Sequence, residues 1–329
     1  MFEDNNFNYE WNENLTESEW DKFLSQLNGH PLQSAKWGNS RHLANKINDY
    51  RWAAFKNNAP VFIARFEERR VFKFFKIAWV PKGPIVADDE NESVLYKQFL
   101  NRLKNQGYFL CAVNPWKQVE IIDDKYSAFY TIWIDLTLKK DKLWEGLHKQ
   151  CRNDIKRAKK NGVLVEKSKS IEDLNKFYKM CELISKYKGF SLRSSKQLML
   201  NLFTNNDEYV ESTLFLAKHD SNICGGAFIL RCGKNIHYFW GAVNRQYSHL
   251  CIGELLQWEI VEWASSCGLT KYDLEGLSSN QNGGVDKFKK KFGGTVIAYS
   301  NIQIYSLYMG RKFISWLIKK YLSFQHKNN

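Results

Sequence analysis

Two short segments carry residue types that could do chemistry together. Tyr272-Asp273-Leu274-Glu275-Gly276 ends an apolar strand-like run in two carboxylates and a glycine. After a polar, glycine-containing loop comes Asp286-Lys287-Phe288-Lys289-Lys290-Lys291-Phe292-Gly293-Gly294. A lysine framed by phenylalanines, beside open backbone, is what a site needs to bind an anion or to stabilise a developing oxyanion. The same lysines also fit a solvated run at a helix end, which is the commoner origin of such a cluster. The remainder of the chain has to decide between the two.

A second concentration of cations lies at Lys149, Arg152, Lys156, Arg157, Lys159 and Lys160. Positions 149, 152, 156 and 159/160 are three and four apart, so a helix puts them on one face. Such a stripe either follows a phosphate backbone, with salt-sensitive affinity at each contact, or simply faces solvent. Arg193 ends the turn Lys186-Tyr187-Lys188-Gly189-Phe190-Ser191-Leu192-Arg193 and could clamp a phosphate or carboxylate bidentately if it faces a cleft. Residues 311–322 set basic ends around an apolar, Trp-bearing face. That pattern suits a membrane interface and, better, a helix docked on the first domain.

Other chemistries find little support. None of the seven histidines forms an H-x-x-x-H pair, so metal binding is disfavoured, and His237, beside Tyr238, Phe239 and Trp240, reads as structural. The seven cysteines include no C-x-x-C pair, which points to buried thiols in a reducing cytoplasm rather than zinc or disulfides. Without a G-x-S-x-G, a P-loop or a G-x-G-x-x-G, hydrolase, kinase and dinucleotide readings have no foothold.

At 329 residues the chain is long enough for two domains. Its 44% hydrophobic and 25% charged content is that of a folded protein. A net charge of +13 and a pI near 9.2 favour a polyanionic partner: nucleic acid, an anionic membrane surface or a phosphate-rich substrate. The polar, acidic start argues against a signal peptide, and no run of eighteen apolar residues exists to span a membrane. The expected location is the cytoplasm, with peripheral association at the inner face of the membrane.

Hydrophobic periodicity predicts helices over 17–27, 35–47 and 92–104, and strands over 50–56, 60–66, 71–80 and 108–113, with Glu67-Glu68-Arg69-Arg70 as a turn. In the second half it predicts strands over 129–136, 163–166, 235–243, 271–274 and 297–305. A hairpin is expected over 213–218 and 223–232, and helices over 141–160, 170–187, 253–267 and 307–324. The sum is a mixed α/β pattern presented twice. The boundary is expected near 135–140, giving a first domain of 1–137, with 303–329 packed back on it, and a second of 138–302.

Several segments, in order, resemble the FemABX (Fem) family of peptidoglycan bridge-forming aminoacyltransferases. They are Leu32-Gln33-Ser34-Ala35-Lys36-Trp37-Gly38, Trp79-Val80-Pro81-Lys82-Gly83-Pro84, Ile134-Asp135-Leu136-Thr137 leading into Arg152-Asn153-Asp154-Ile155-Lys156-Arg157-Ala158, Tyr272-Asp273-Leu274-Glu275-Gly276 and Phe288-Lys289 with Phe292-Gly293. Departures fall at Asn114-Pro115, where the family often has Asp-Pro, and at Gln197 and Ile252. The resemblance implies two GNAT-like acyltransferase domains with a cleft between them and no coiled-coil arm, the compact FemX-like type. It implies transfer of an amino acid from aminoacyl-tRNA, a co-substrate rather than a cofactor, to the stem-peptide amine of a UDP-linked or lipid-linked precursor. By position, Lys289, framed by Phe288, would stabilise the oxyanion. Arg41 and Arg193 would hold the precursor's phosphates, with Trp37 and Lys82 as further substrate contacts, and the basic helix would bind the tRNA acceptor end.

Aminolysis of an activated ester needs positioning and electrostatic stabilisation, not a metal or a strong protein nucleophile. Asp273 or Glu275 could serve as base for the attacking amine if either reaches the cleft. Two alternatives stay open. One is a GNAT-like N-acyltransferase using acyl-CoA on an amino sugar, although residues 245–254 hold a single glycine where a pyrophosphate loop needs more. The other is a basic RNA- or membrane-binding protein, which would have no need of Lys289 in a cleft.

Overall fold

A computed structural model describes residues 9–71, 74–119, 129–189, 192, 195–278 and 281–308. The described residues fall into two compact units, within Met1–Trp116 plus Ile302–Asn329 and within Lys117–Asn301. The first unit begins with β1 (Glu10–Asn12), α1 (Glu17–Gln26), α2 (Ala35–Asn45), β2 (Asn48–Lys56), β3 (Ala59–Val71), β4 (Phe75–Pro81), β5 (Ile85–Val86), α3 (Glu92–Asn105) and β6 (Tyr108–Asn114). The second runs β7 (Gln118–Val119), β8 (Phe129–Asp135), α4 (Lys140–Gly146), α5 (Lys149–Lys160), β9 (Leu164–Ser168), α6 (Ile171–Lys188), α7 (Lys196–Thr204), β10 (Val210–His219), β11 (Asn222–Cys232), β12 (Asn235–Val243), α8 (Ile252–Ser266), β13 (Lys271–Asp273), α9 (Gly284–Lys290) and β14 (Thr295–Tyr299). The chain then returns to the first unit in β15 (Gln303–Ser306). No helix among the described residues is long and apolar enough to cross a membrane.

Both units are mixed α/β, as the hydrophobic periods predict. Among the described residues the first sheet has the order β1-β2-β3-β4-β6-β15, with β5 beside β3. Its pairs are antiparallel except β4–β6. The second sheet runs β7-β14-β8-β13-β12-β11-β10-β9, antiparallel except β12–β13. A parallel pair cannot be closed by a tight turn and needs a crossover, here α3 in the first unit and α8 in the second. Leu95, Phe99 and Leu103, four residues apart on α3, are buried against Trp52, Phe62 and Phe66 of the first sheet. In the second unit, a Cβ on Gly225 would meet Ile252 of α8 at 2.7 Å, and one on Gly226 would meet Phe177 of α6 at 2.7 Å. Adjacent strand residues face opposite ways, so these two glycines let one helix settle on each face of the sheet.

Four expectations need correction. The charged run Glu67-Glu68-Arg69-Arg70 is not a turn; β3 carries straight through it. Strand alternation puts Arg65, Glu67 and Arg69 on one face, and both arginines donate to the Glu67 carboxylate at 3.1 Å. On the other face Arg70 Nε donates to Glu68 Oε1 at 2.8 Å. A sequence in which charges pair two apart reads as hydrophilic yet makes a stable strand.

The expected helix over 141–160 is two helices, because Leu147 and His148 are extended, each with ψ 142°. His148 N donates to Lys291 O at 2.9 Å, and Arg152 Nη1 donates to Glu145 O at 3.0 Å and also to Leu147 O, which satisfies the carbonyls exposed by the break. The expected strand over 297–305 splits, since β14 pairs with β8 while β15 pairs with β6. The domain boundary moves in turn. β7 already pairs with β14, and β8 with β13 and β14, so the chain has entered the second unit by Lys117, before the expected 137/138. The expected helix over 307–324 and Arg193 lie outside the described residues, apart from Leu307 and Tyr308.

Candidate functional site

The second unit gathers its ionisable groups at the carboxyl end of β13. The strand stops at Asp273 and the backbone turns sharply, with Glu275 in the left-handed region at φ 59°. For a non-glycine residue that conformation costs about 1 kcal/mol and must be held from outside. Two contacts hold it. Glu275 N donates to Asp273 Oδ1 at 2.7 Å, and the Glu275 carboxylate lies 2.8 Å from His237 Nδ1.

Turned this way, the carbonyls of Glu275 and Gly276 both accept from Lys289 Nζ, at 2.9 and 2.7 Å. Lys289 is 7% exposed. Burial pushes its pKa below the ordinary lysine value of 10.5, against the raising pull of Glu275, Asp273 and Asp286. An ammonium has three N–H donors. Two are engaged, and among the described residues the third has no partner.

The flanks are rigid. Asp286, one turn before Lys289, accepts from Ser278 N at 2.9 Å and Gly283 N at 2.8 Å, tying the preceding loop to the start of α9. Burial works against its charge, but the Ser278 and Gly283 donors and the Lys289 ammonium hold its carboxyl below the usual aspartate range. Phe288 meets Phe292 edge-on at 5.1 Å and lies over Gly253, whose missing Cβ would sit 3.0 Å from the Phe288 ring. The other lysines of the run are placed differently: Lys290 donates to Gln281 O and Lys291 to Glu254, while Lys287 is exposed.

The two candidate bases are not equivalent. Asp273 is 3% exposed and accepts from Thr131 Oγ1, Trp133 Nε1 and Glu275 N. Burial raises its pKa, helped by the neighbouring Glu275 charge and opposed by His237 and Thr131. Three donors thus occupy its oxygens, and it is buried away from solvent. The Glu275 carboxylate is 24% exposed and is the accessible one. His237, expected to be structural, is thus part of this cluster; its partner Glu275 lies in the Tyr272–Gly276 segment, far along the chain, and nothing adjacent to His237 in sequence signals the pairing.

Residues 147–290 match the acetyltransferase (GNAT) domain family. Over 82 residues the chain is 32% identical to aminoacyltransferase FemA of Staphylococcus epidermidis, covering 23% of this chain and 19% of that protein. Over 137 residues it is 27% identical to aminoacyltransferase FemA of Staphylococcus aureus (strain MW2), covering 39% and 32%. The chain therefore spans less than a third of either relative. The crystal structure of FemX superposes with a TM-score of 0.77 at 17% identity, covering 90% of this chain and 97% of that one. The chain is FemABX-like, with a GNAT domain.

Within this Fem-like chain the remaining expected residues are scattered. Trp37, Arg41 and Lys82 belong to the first unit. Trp37 is buried in the first turn of α2, whose N-terminus Ser34 caps by accepting from Trp37 N at 3.0 Å. Arg41 donates through Nε to Glu67 at 3.4 Å and through Nη1 to Asn45 at 3.3 Å, so part of its guanidinium is committed. Lys82 lies 5.2 Å over the Trp116 ring. On α5, Arg152 caps α4, Arg157 pairs with Asp154 at 3.0 Å and Lys159 with Glu259 at 2.7 Å. Lys149, Lys156 and Lys160 are exposed and, among the described residues, without an ion pair.

Gln33 was legible only as a motif letter. It is fully buried; its amide donates to Pro81 O at 2.5 Å and Arg65 O at 3.0 Å and accepts from Arg65 N at 2.7 Å. A Cβ on Gly83 would come within 2.6 Å of that amide, so the two family-like motifs of the first unit meet as one packing knot.

Proposed function

We propose that the chain moves an aminoacyl group from an aminoacyl-tRNA to the stem-peptide amine of a peptidoglycan precursor. The observation that carries this reading is the Lys289 ammonium, buried, anchored on two carbonyls and left with one donor, inside the segment matched by the acetyltransferase domain. The relatives named aminoacyltransferase support the donor, and the resemblance of the motifs supports the acceptor.

In this scheme the neutral amine attacks the ester carbonyl carbon. A C–N bond forms, and the carbonyl electron pair moves onto oxygen, where the third N–H of Lys289 meets it. Collapse of the intermediate breaks the C–O bond to the ribose, and the proton lost by nitrogen ends on the ribose hydroxyl. Lys289 stays charged throughout. We assign Glu275 as the first acceptor of that proton, with Asp273 and His237 as positioning residues for its turn. Phe288 walls the acyl group. Arg41, Arg193, Trp37 and Lys82 are assigned to the precursor, and Lys149, Lys156 and Lys160, the uncommitted cations of α5, to the tRNA end. The reaction belongs in the cytoplasm, where aminoacyl-tRNA is made.

The test is Lys289→Met, assayed for transfer from charged tRNA to a UDP-linked precursor. Loss of about 10²–10³ in kcat with unchanged thermal unfolding is expected; full activity overturns the assignment. The acetyltransferase match also favours a second reading, in which acyl-CoA is the donor. Transfer from acetyl-CoA to an amino sugar, with none from charged tRNA, would select it.

A further inference from the structure

Among the described residues the carboxyl-terminal half of α6 is poorly covered. A groove of about 600 Å³ opens between this helix, the β10–β11 turn and the 3-10 helix Arg245–Leu250. That volume is within the range of about 300–1,000 Å³ typical of small-molecule sites. The aliphatic part of its lining comes from Met180, Leu183, Ile184 and Ile223. Leu183 is 61% exposed and Tyr187, one turn on, 63%. A single exposed leucine needs no explanation, but here half-buried Met180, Ile184 and Ile223 extend it into an apolar lining.

The rim is cationic. Lys176, Lys179, Lys218 and Arg245 line it, against one carboxylate, Asp173, which is engaged with Ser168 Oγ at 2.7 Å. Lys179 and Arg245 have no carboxylate partner among the described residues. Lys176 pairs with Glu172 at 2.8 Å and Lys218 with Glu166 at 2.5 Å. Such exposed pairs are worth about 0–1 kcal/mol and yield readily to a competing anion. Residues 176, 179/180, 183 and 187 fall on one face of α6, so cations and aliphatic groups present together. Long cationic side chains beside an apolar strip suit a ligand with a hydrocarbon part and an anionic head. Base stacking is less well served: the guanidinium carbon of Arg245 already covers the Tyr187 ring at 3.6 Å, and the rest of the apolar lining is largely aliphatic.

We propose that this groove binds an anionic membrane phospholipid, one acyl chain along Leu183 and Ile184 and the phosphate between Lys179, Lys218 and Arg245. It would seat the second unit on a bilayer, and it does not rest on the acyl-transfer reading. The full chain is tested by co-sedimentation with phosphatidylcholine vesicles, with and without phosphatidylglycerol. Wild type should sediment with the anionic vesicles and weakly with the neutral ones. Leu183→Asp, at an exposed position, should reduce binding about tenfold or more. Lys179→Glu and Arg245→Glu should each reduce it about fivefold or more. Thermal melting checks that each variant is folded. No sedimentation of wild type, or undiminished binding by folded Leu183→Asp, overturns the proposal. So does a Leu183→Asp chain that keeps vesicle binding but loses an RNA oligonucleotide or an acidic peptide, which would reassign the groove to that partner.

Discussion

Among the described residues each unit contains one parallel strand pair, and the carboxyl ends of the two pairs are filled in opposite ways. In the first unit the space beside Pro81, where β4 ends, takes the Gln33 side chain, a neutral amide whose oxygen and nitrogen are both matched to backbone. In the second unit the space beyond β13 takes the Lys289 ammonium, held by two backbone carbonyls with one donor remaining. A neutral group with its polar atoms satisfied is a staple. A charged group left partly satisfied in a buried place has surplus hydrogen-bonding capacity that is realised only when an anion arrives, which is what the proposed oxyanion role requires. The same topology is thus filled once by a satisfied neutral amide and once by a partly satisfied ammonium, to which the proposed function gives the chemistry.

The sharpest way to break this contrast is to remove both groups. Lys289→Met unpairs two carbonyls but also removes a buried charge, so it should abolish most turnover with a small net change in stability, whereas Gln33→Ala should act mainly on stability. The Gln33 change strands buried backbone groups and should destabilise the first unit by roughly 2–4 kcal/mol, read by chemical denaturation. If Gln33→Ala leaves stability unchanged, or Lys289→Met unfolds the chain, the division of labour fails.

pH sharpens it further. The oxyanion role needs charged Lys289, whose pKa is depressed by burial, so turnover should fall on the basic side at a pH below the ordinary lysine value of 10.5. A basic limb at or above that value would mean that Lys289 is not the titrating group. The first unit has its own titrating group in Glu67, unlike neutral Gln33. Burial disfavours its charge, but Arg65, Arg41 and Arg69 outweigh that and bring its pKa from 4.5 down to about 2. A carboxylate whose folded pKa is depressed stabilises fully above its unfolded value, and the contribution is lost as pH falls from 4.5 towards 2. Glu67→Gln should therefore flatten the acid limb of stability in that window, seen in unfolding midpoints against pH. The smallest effect is expected on α5: neutralising Lys149, Lys156 and Lys160 together should lower the salt slope of tRNA binding by about 2–3, with kcat at saturating tRNA unchanged.

How legible this was varies by element. The strand 235–243 and the helix of α8 stand out because their hydrophobic periods are unbroken. The charged half of β3 reads as a turn because pairing two apart looks, in one dimension, like a solvated loop. The break between α4 and α5 was invisible because its partners, Lys291 and Arg152, reach it from outside the local pattern. In the site, Phe288-Lys289 could be picked out as a pair, but not why Lys289 is buried while Lys287 and Lys290 are exposed. That depends on which side of a two-turn helix meets the β13 turn.

Residue order alone determined the mixed alternation of strands and helices, the excess of cations and the presence of a lysine between aromatic residues, since each is a property of local spacing and composition. Tertiary structure decided which lysine loses its water, which arginines are bound to carboxylates and which carboxylate stays accessible. Those outcomes depend on carbonyls, donors and charges brought together from positions dozens of residues apart, and desolvation and Coulomb energies act through space rather than along the chain.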